Sequence, residues 1–209
     1  MSANHAAFNL IFRFVENYIS PIAGRISSQR HVMAIRDGFI SAMPFMIVGS
    51  FLLVFAYPPF SPDTTWGFAR AWLDLAKEFE GRILTPFDMT MGIMSIYICA
   101  AISYNLGKHY EKSNQLDPFM CAMLSIMAFL LIAAPKTNGT LPVDSLGGTG
   151  IFTAILVAIY CVEMMRFLKA HNIGIRLPDQ VPPMIKNSFD LLIPVLVVVL
   201  TLYPLSLFI

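Results

Sequence analysis

The sequence predicts an all-α polytopic membrane protein with about five transmembrane helices and additional amphipathic helices at its surface. Of its 209 residues, 56% are hydrophobic and only 13% are charged, whereas soluble domains average about 25% charged residues. The apolar residues are gathered in long runs separated by short polar breaks. This arrangement is typical of a chain that crosses a bilayer several times.

Five apolar segments are candidates for a membrane span, which needs about 20 residues. They cover residues 38–57, 87–106, 119–134, 149–168 and 188–209. The third segment is short and ends at Pro135. Two interpretations of it therefore stay open, a short helix that crosses the membrane and a re-entrant segment.

The distribution of Lys and Arg predicts the orientation. With a cytoplasmic N-terminus, ten of the fourteen basic residues fall in inner segments and four in outer segments. The inner residues are Arg13, Arg25, Arg30, Arg36, Lys108, Lys112, Arg166, Lys169, Arg176 and Lys186, and the outer ones are Arg70, Lys77, Arg82 and Lys136. Because cytoplasmic loops carry the excess of positive charge, the N-terminus is predicted to be cytoplasmic.

Two further segments have the apolar period of an amphipathic helix. The first runs from Phe8 to Ile26, and Pro21 either kinks it or begins a second helix. It lies on the membrane surface or docks on the body of the protein. The second covers 66–82 in an outer segment, where its tryptophans suit the headgroup boundary. One side of this second helix carries Ala69, Trp72, Leu73, Ala76 and Phe79.

Ionisable residues near membrane depth are the first candidates for function. Asp88, at the outer mouth of the second span, is interpreted as an acid at a helix start. Glu163 and Arg166 are three residues apart and can pair on one helix. Asp190 opens the fifth span, where it is a coupling or binding group or a structural helix-end acid.

Catalytic and metal-ligating patterns are missing from the sequence. No nucleophile–base arrangement is visible, so no catalytic residue is assigned, and no cofactor or metal is expected. The histidines at 31, 109 and 171 lack metal-ligand spacing, and the cysteines at 99, 121 and 161 are interpreted as packing residues. The net charge of +1 argues against a nucleic-acid partner. "GGTG" at 147–150 is interpreted as a turn with close helix approach, and "NGT" at 138–140 fits a glycosylation acceptor only in a suitable host.

Several motifs resemble the membrane subunit, enzyme IIC, of the sugar phosphotransferase system, and within it the lactose/cellobiose/diacetylchitobiose family. They are "QRHVMAIRDGFISAMPFMIVGSFLL" at 29–53, "LGGTGIFTAILVAIYCVEMMRFL" and "IRLPDQVPPMIKNSFDLLIPVL". The similarity follows the order of the family through nearly the whole chain. The most specific element is "PDQVPP" followed by "SF" and a new span.

The resemblance implies a permease of the bacterial inner membrane that takes up a β-linked disaccharide of the cellobiose, chitobiose or lactose type. Phosphoenolpyruvate would supply phosphate through IIA and a cysteine of IIB, which makes IIB the direct partner, and the chain would form part of a phosphotransferase. Family members are homodimers with about ten spans. Residues 1–209 would correspond to the amino-terminal, dimer-forming half, so the family's sugar-holding residues have no counterparts here and the substrate-binding residues are unassigned.

Two other classes of function are alternatives to this permease. One is a truncated membrane scaffold that dimerises without transporting; a split gene or a partial sequence would also leave only this half. The other is an ion-coupled carrier, which the lack of an inverted repeat and of a charged pair at a span centre disfavours.

The connector at 175–190, "IRLPDQVPPMIKNSFD", is the candidate for contact with a partner. Its prolines fix φ and remove donors, which favours a stiff, extended turn over a continuing helix. We hypothesise that Arg176, Asp179, Pro182 and Pro183 hold the fourth and fifth spans apart and help form a cytoplasmic surface met by the rest of the transporter or by IIB. The alternative is a connector without any partner contact.

Overall fold

The computed structural model describes residues 20–134, 142–175, 182, 185 and 189–207. Regular structure within these ranges is helical, which confirms the all-α fold class. Its α-helices are α1 (Ser20–Ser27), α2 (Arg30–Ala56), α3 (Gly67–Phe87), α4 (Met94–Asn114), α5 (Pro118–Ala133), α6 (Ile151–Ala170) and α7 (Leu192–Ser206). A π-helical turn at Asp88–Gly92 joins α3 to α4, and a 3₁₀ turn at Gly148–Gly150 precedes α6.

Helix α2 packs against α4 in the antiparallel direction. Gly38 near the start of α2 lies on Ile102 of α4, and Gly49 further along α2 lies on Met91 just before α4. A Cβ atom at position 38 would lie 2.9 Å from the backbone nitrogen of Ile102. A glycine at this position therefore lets the two helix backbones approach each other closely.

The next two helices continue the alternation of direction. At the start of α5, the Cys121 Sγ lies 3.7 Å from the Met165 Sδ near the end of α6. Towards the end of α5, Phe129 lies beside Gly150, immediately before α6. Helix α5 has 16 residues, or about 24 Å at 1.5 Å per residue. Helix α5 runs along almost the whole of α6, but it is shorter than the candidate spans of the described residues, and the choice between a crossing and a re-entrant segment stays a prediction.

The core lies between α2, α4, α5 and α6, with a contribution from α7. Fully buried side chains in it include Ile98, Ile102, Leu106, Leu124, Phe129, Val162, Met165 and Val198. All three cysteines are free thiols in this core. Their interpretation as packing residues therefore agrees with their burial.

Within the described residues, three helical segments are long and apolar enough to cross a membrane. They are Arg30–Ala56, Gly67–Asn114 and Gly148–Ala170. The third and fifth predicted spans appear as the shorter apolar helices α5 and α7. Helix α2 begins at Arg30, eight residues before the first predicted span, because polar residues extend the helix beyond the apolar run.

The interpretation of Asp88 as a helix-start acid is wrong. Helix α3 runs to Phe87, and Asp88 is the first residue of the π-helical turn that continues into α4. Pro86 lies in the last turn of α3 and has no backbone N–H to donate. The wider π-helical turn that follows accommodates the hydrogen bond that Pro86 cannot donate. The Thr90 hydroxyl donates to the Pro86 carbonyl at 2.9 Å. The chain therefore continues from α3 into the π-helical turn at Asp88, where the sequence predicted the start of a new helix.

The amphipathic helix predicted at 66–82 is confirmed as α3. Two residues of its predicted apolar side, Ala69 and Ala76, are buried. The Trp72 Nε1 donates to the Phe55 carbonyl at 3.2 Å and fastens α3 to the end of α2. Of the amphipathic segment predicted at 8–26, the structure describes α1, while residues 1–19 lie outside the described ranges.

A second polar contact fastens α3 to the residue that follows α2. The Tyr57 hydroxyl donates to the Glu80 Oε1 at 2.8 Å. This hydrogen bond raises the pKa of the Tyr57 phenol above its ordinary value, because the neutral phenol is the form that donates to the carboxylate.

Candidate functional site

Basic residues gather at one end of the bundle, which we call the basic end. The start of α2, the end of α4 and the end of α6 meet there. The residues that define it are Arg30, Lys108, Lys112, Arg166 and Lys169. The opposite end, with the π-helical and 3₁₀ turns, is the far end.

Glu163 of α6 is the centre of a polar cluster at the basic end. Its Oε1 accepts from the His31 Nε2 of α2 at 2.9 Å and from the Tyr110 hydroxyl of α4 at 2.7 Å. Its Oε2 lies 2.6 Å from an Arg166 guanidinium nitrogen. An ionised carboxylate only accepts hydrogen bonds, so the His31 Nε2 carries a hydrogen in this arrangement.

Two guanidinium groups lie against the Tyr110 ring. The Arg166 Cζ is 4.9 Å and the Arg30 Cζ 5.5 Å from the ring centroid. Tyr110 itself is buried. Both distances are within the range of a cation–π interaction. We call Arg30, His31, Tyr110, Glu163 and Arg166 the Glu163 cluster.

The Glu163 cluster connects three helices that the sequence separates widely. One carboxylate holds the start of α2, the last turns of α4 and the last turns of α6. Hydrogen bonds between helices are one of the forces that associate helices within a bilayer, where apolar contacts alone give little preference for protein over lipid. The predicted pairing of Glu163 with Arg166 is present, and the cluster extends it across the bundle.

A second polar site at the basic end is organised by Lys169. Its Nζ donates to the Gln115 carbonyl at 2.7 Å and lies 3.4 Å from the Asp190 Oδ2. Asp190 comes just before α7, so Lys169 joins α6 to the α4–α5 turn and to the start of α7. This contact supports the structural interpretation of Asp190.

A cleft of about 350 Å³ surrounds this lysine, and we call it the Lys169 cleft. Two of its residues, Gln115 and Asn172, have left-handed φ values of 53° and 55°. They end α4 and follow the end of α6, where one left-handed residue commonly ends a helix. The described lining consists of Asn114, Gln115, Leu168, Lys169, Asn172, Ile173, Gly174, Ile175, Asp190 and Pro194.

The connector candidates are only partly described. Pro182 is exposed, and its carbonyl accepts from the Ile185 N–H at 3.0 Å. Arg176, Asp179 and Pro183 lie outside the described residues. Contact of this connector with IIB stays a hypothesis.

At the far end, the "GGTG" turn is confirmed as a point of close approach. A Cβ atom at Gly147 would lie 3.0 Å from the Gly92 carbonyl oxygen. The backbone N–H of Ser95 donates to the Leu146 carbonyl at 2.9 Å, and the Ser95 hydroxyl donates to the Gly147 carbonyl.

Within the described ranges, no three His, Cys, Asp or Glu side chains are placed together to hold a metal ion.

Sequence reasoning found one part of the Glu163 cluster and missed the rest. The spacing of Glu163 and Arg166 on one helix predicted that these two side chains pair. Tyr110 and His31 belong to other helices, and no local pattern pairs a residue with a partner more than 50 positions away. Both residues lie in polar helix ends among other charged side chains, so the local sequence did not single them out.

Comparison with known proteins decides the family. The family model described as "Phosphotransferase system, EIIC" matches residues 36–209. The chain belongs to the phosphotransferase system EIIC family. Membership agrees with the family resemblance seen in the sequence motifs and with the apolar helices of a membrane component. Most of the residues described at the basic end, including Tyr110, Glu163, Arg166 and Lys169, fall within the matched range.

Similar EIIC proteins come from several bacteria. The chain is 35% identical to the "PTS system cellobiose-specific EIIC component" of Geobacillus stearothermophilus, over 90% of this chain and 43% of that protein. It is 33% identical to the "PTS system lactose-specific EIICB component" of Streptococcus mutans, over 90% of this chain and 32% of that protein.

A solved structure has the same fold. It is the crystal structure of the transporter ChbC, described as the IIC component of the N,N'-diacetylchitobiose-specific phosphotransferase system. The TM-score is 0.76 at 33% sequence identity, and the match covers 94% of this chain and 46% of ChbC. The chain therefore spans less than half the length of each of these EIIC proteins.

Proposed function

We propose that this chain is part of a phosphotransferase permease that takes up a β-linked disaccharide of the cellobiose, chitobiose or lactose type. The observation that carries the proposal is the EIIC family match over residues 36–209, together with relatives whose names specify cellobiose and lactose. A IIB partner would phosphorylate the sugar with phosphate from phosphoenolpyruvate, delivered through IIA.

Within this permease, residues 1–209 correspond to the amino-terminal, dimer-forming half. Two observations support this assignment: the order of the family motifs along the chain, and a match that covers 43% of the cellobiose relative. In this proposal, the half contributes a rigid helical scaffold and a homodimer contact. The close approaches of α2 to α4 and the Glu163 cluster give such a scaffold its rigidity.

The basic end faces the cytoplasm and IIB in this proposal. The excess of Lys and Arg in the segments assigned to that side supports the orientation. The connector with Arg176, Asp179, Pro182 and Pro183 follows α6 in the sequence, and the proposal assigns it to the same side as the Glu163 cluster. It is therefore the first candidate for contact with IIB.

Reconstituted phosphoryl transfer tests the proposed function. Bacterial membranes that contain the native product are mixed with phosphoenolpyruvate, the general phosphotransferase proteins, and the IIA and IIB subunits of a β-disaccharide system. The proposal predicts that cellobiose, chitobiose or lactose becomes phosphorylated only when these membranes are present. Sugar uptake that follows an ion gradient and ignores phosphoenolpyruvate would assign the protein to ion-coupled carriers. A folded, dimeric product without transport or phosphorylation would instead support the scaffold alternative.

A further inference from the structure

The Glu163 cluster opens on one side into a trough along α6. The trough has a volume of about 450 Å³. Its described lining consists of Tyr160, Glu163, Met164, Arg166 and Phe167. It combines apolar or aromatic side chains with an ion pair. The ion pair lies towards the basic end, within two turns of the end of the helix.

The trough continues an exposed apolar face of α6. Phe152 is 80% exposed, Leu156 is 65% exposed and Phe167 is 53% exposed. Together with Tyr160 and Met164 they recur at intervals of three or four residues, so they share one side of the helix. In a membrane protein, apolar side chains with this exposure are suited to contact with lipid acyl chains. The apolar part of the trough is thus continuous with a lipid-compatible surface.

Positive charge exceeds negative charge at the polar end of the trough. Arg166 and Arg30 both approach the Tyr110 ring, while Glu163 is the one carboxylate that the described contacts place in the cluster. Glu163 already accepts from three side chains. The Arg166 side chain is 42% exposed, Arg30 is exposed, and a guanidinium carries five N–H donors. Donors therefore outnumber the acceptors available to them, and a ligand that supplies anionic oxygen atoms is favoured.

We propose that this trough binds an anionic phospholipid, with its phosphodiester on Arg166 of the trough lining and on Arg30 of the adjoining Glu163 cluster, and an acyl chain along Met164 and Phe167. Cationic side chains between helices at the end of a bundle form lipid headgroup sites of this kind. The planar donors of a guanidinium fit phosphate oxygens. A neutral sugar would match the aromatic lining but leave the excess positive charge without a partner. The inference is independent of the sugar that the permease carries.

Thermal unfolding in detergent with added lipid tests the proposal. The chain is titrated in separate experiments with phosphatidylglycerol, phosphatidylcholine, inorganic phosphate and cellobiose. Phosphatidylglycerol is expected to raise the Tm by about 5 °C at saturation, as for a ligand present at 100 times its Kd in a protein of this size. Phosphatidylcholine and inorganic phosphate are expected to raise it far less.

Three variants locate the effect. Arg30→Gln removes one guanidinium and leaves the hydrogen bonds of Glu163 in place, and Arg166→Gln removes the other. Arg36→Gln is the matched control, because Arg36 is an exposed arginine of the same helix as Arg30 and pairs with Asp37 at 2.8 Å. Native mass spectrometry of the retained lipid is expected to show about fivefold weaker phosphatidylglycerol binding for Arg30→Gln. The control is expected to bind as the unchanged protein does.

Several results would overturn this lipid site. They are equal shifts with phosphatidylglycerol and phosphatidylcholine, an equal loss of binding in Arg36→Gln, or a full shift with inorganic phosphate alone. A shift with cellobiose in place of lipid would reassign the trough to sugar. If Arg166→Gln fails to fold, the comparison of Arg30→Gln with Arg36→Gln still decides the question. Loss of the lipid effect with intact sugar phosphorylation would leave the proposed permease standing.

Discussion

His31 and Glu163 are joined by a contact of 2.9 Å between Nε2 and Oε1, although 132 positions separate them in the sequence. The contact fastens the start of α2 to the last turns of α6. Tyr110 joins the same carboxylate oxygen from α4. One acidic side chain thus fixes how three helices meet at the basic end.

Replacing Glu163 is expected to loosen this junction. In Glu163→Gln, one amide takes the place of a carboxylate that holds an arginine, a histidine and a tyrosine. Losing charge-assisted hydrogen bonds of this kind costs about 1–3 kcal/mol. The measurement is thermal unfolding followed with a thiol-reactive dye, which reports the exposure of the three buried cysteines.

Glu111→Gln is the matched control for Glu163→Gln. Glu111 is an exposed glutamate of α4 at the same end of the bundle. Its loss is expected to change the free energy of unfolding by less than about 0.5 kcal/mol. Equal destabilisation by the two variants would mean that the net charge of the basic end matters and that the contacts of Glu163 do not.

Gly38 is expected to tolerate no side chain. In Gly38→Ala the added Cβ would lie 2.9 Å from a backbone nitrogen of α4, so the two helices must separate. Overpacking of this kind costs about 1–3 kcal/mol. Gly81→Ala, in α3, adds a methyl group with nothing within 4 Å and is expected to stabilise the helix by up to about 1 kcal/mol. Comparison of the two Tm values checks the prediction, and a stabilising Gly38→Ala would contradict the packing of α2 on α4.

Lys169 is expected to hold the start of α7 in place. Lys169→Met removes the donor to the Gln115 carbonyl and the partner of Asp190, at a cost of about 1 kcal/mol. Because the contact links α6 to α7, limited proteolysis is expected to cut near the start of α7 more rapidly in this variant. The control is Lys108→Met, which changes an exposed lysine at the same end. The prediction fails if both variants are cut at the same rate.

The proposed orientation can be read from cysteine labelling. Single cysteines are introduced as Lys112→Cys at the basic end and Asp63→Cys at the far end, both exposed positions. A thiol reagent that cannot cross membranes is expected to label position 63 on intact cells and position 112 only after the membrane is opened. The three native cysteines are buried and give little background. The opposite pattern would reverse the orientation.

Much of the helical architecture was predictable because hydropathy and helical period depend on local sequence. The apolar side of α3, with Ala69 and Ala76, could be read from spacing alone. The π-helical turn at Asp88–Gly92 could not, because hydropathy does not report whether a helix continues through a proline. The spacing also predicted the ion pair between Glu163 and Arg166, since residues three apart are neighbours on one helix.

The remainder of the candidate site depends on tertiary structure. Lys169 reaches the Gln115 carbonyl because Gln115 adopts a left-handed conformation at the end of α4. Nothing in the local sequence required glutamine to do so. In the same way, Arg30 reaches Tyr110 only because α2 and α4 pack side by side. Such contacts are consequences of helix packing, and a single sequence does not specify their partners.

In the proposed function, this chain serves a phosphoenolpyruvate-dependent permease for a β-linked disaccharide. The most direct test is uptake of radiolabelled cellobiose, chitobiose and lactose by the source bacterium, before and after deletion of the segment that encodes this chain. We expect that uptake of at least one of these sugars is lost, that it returns with the native gene, and that the accumulated sugar is phosphorylated. Unchanged uptake of all three sugars, or accumulation of unmodified sugar, would contradict it.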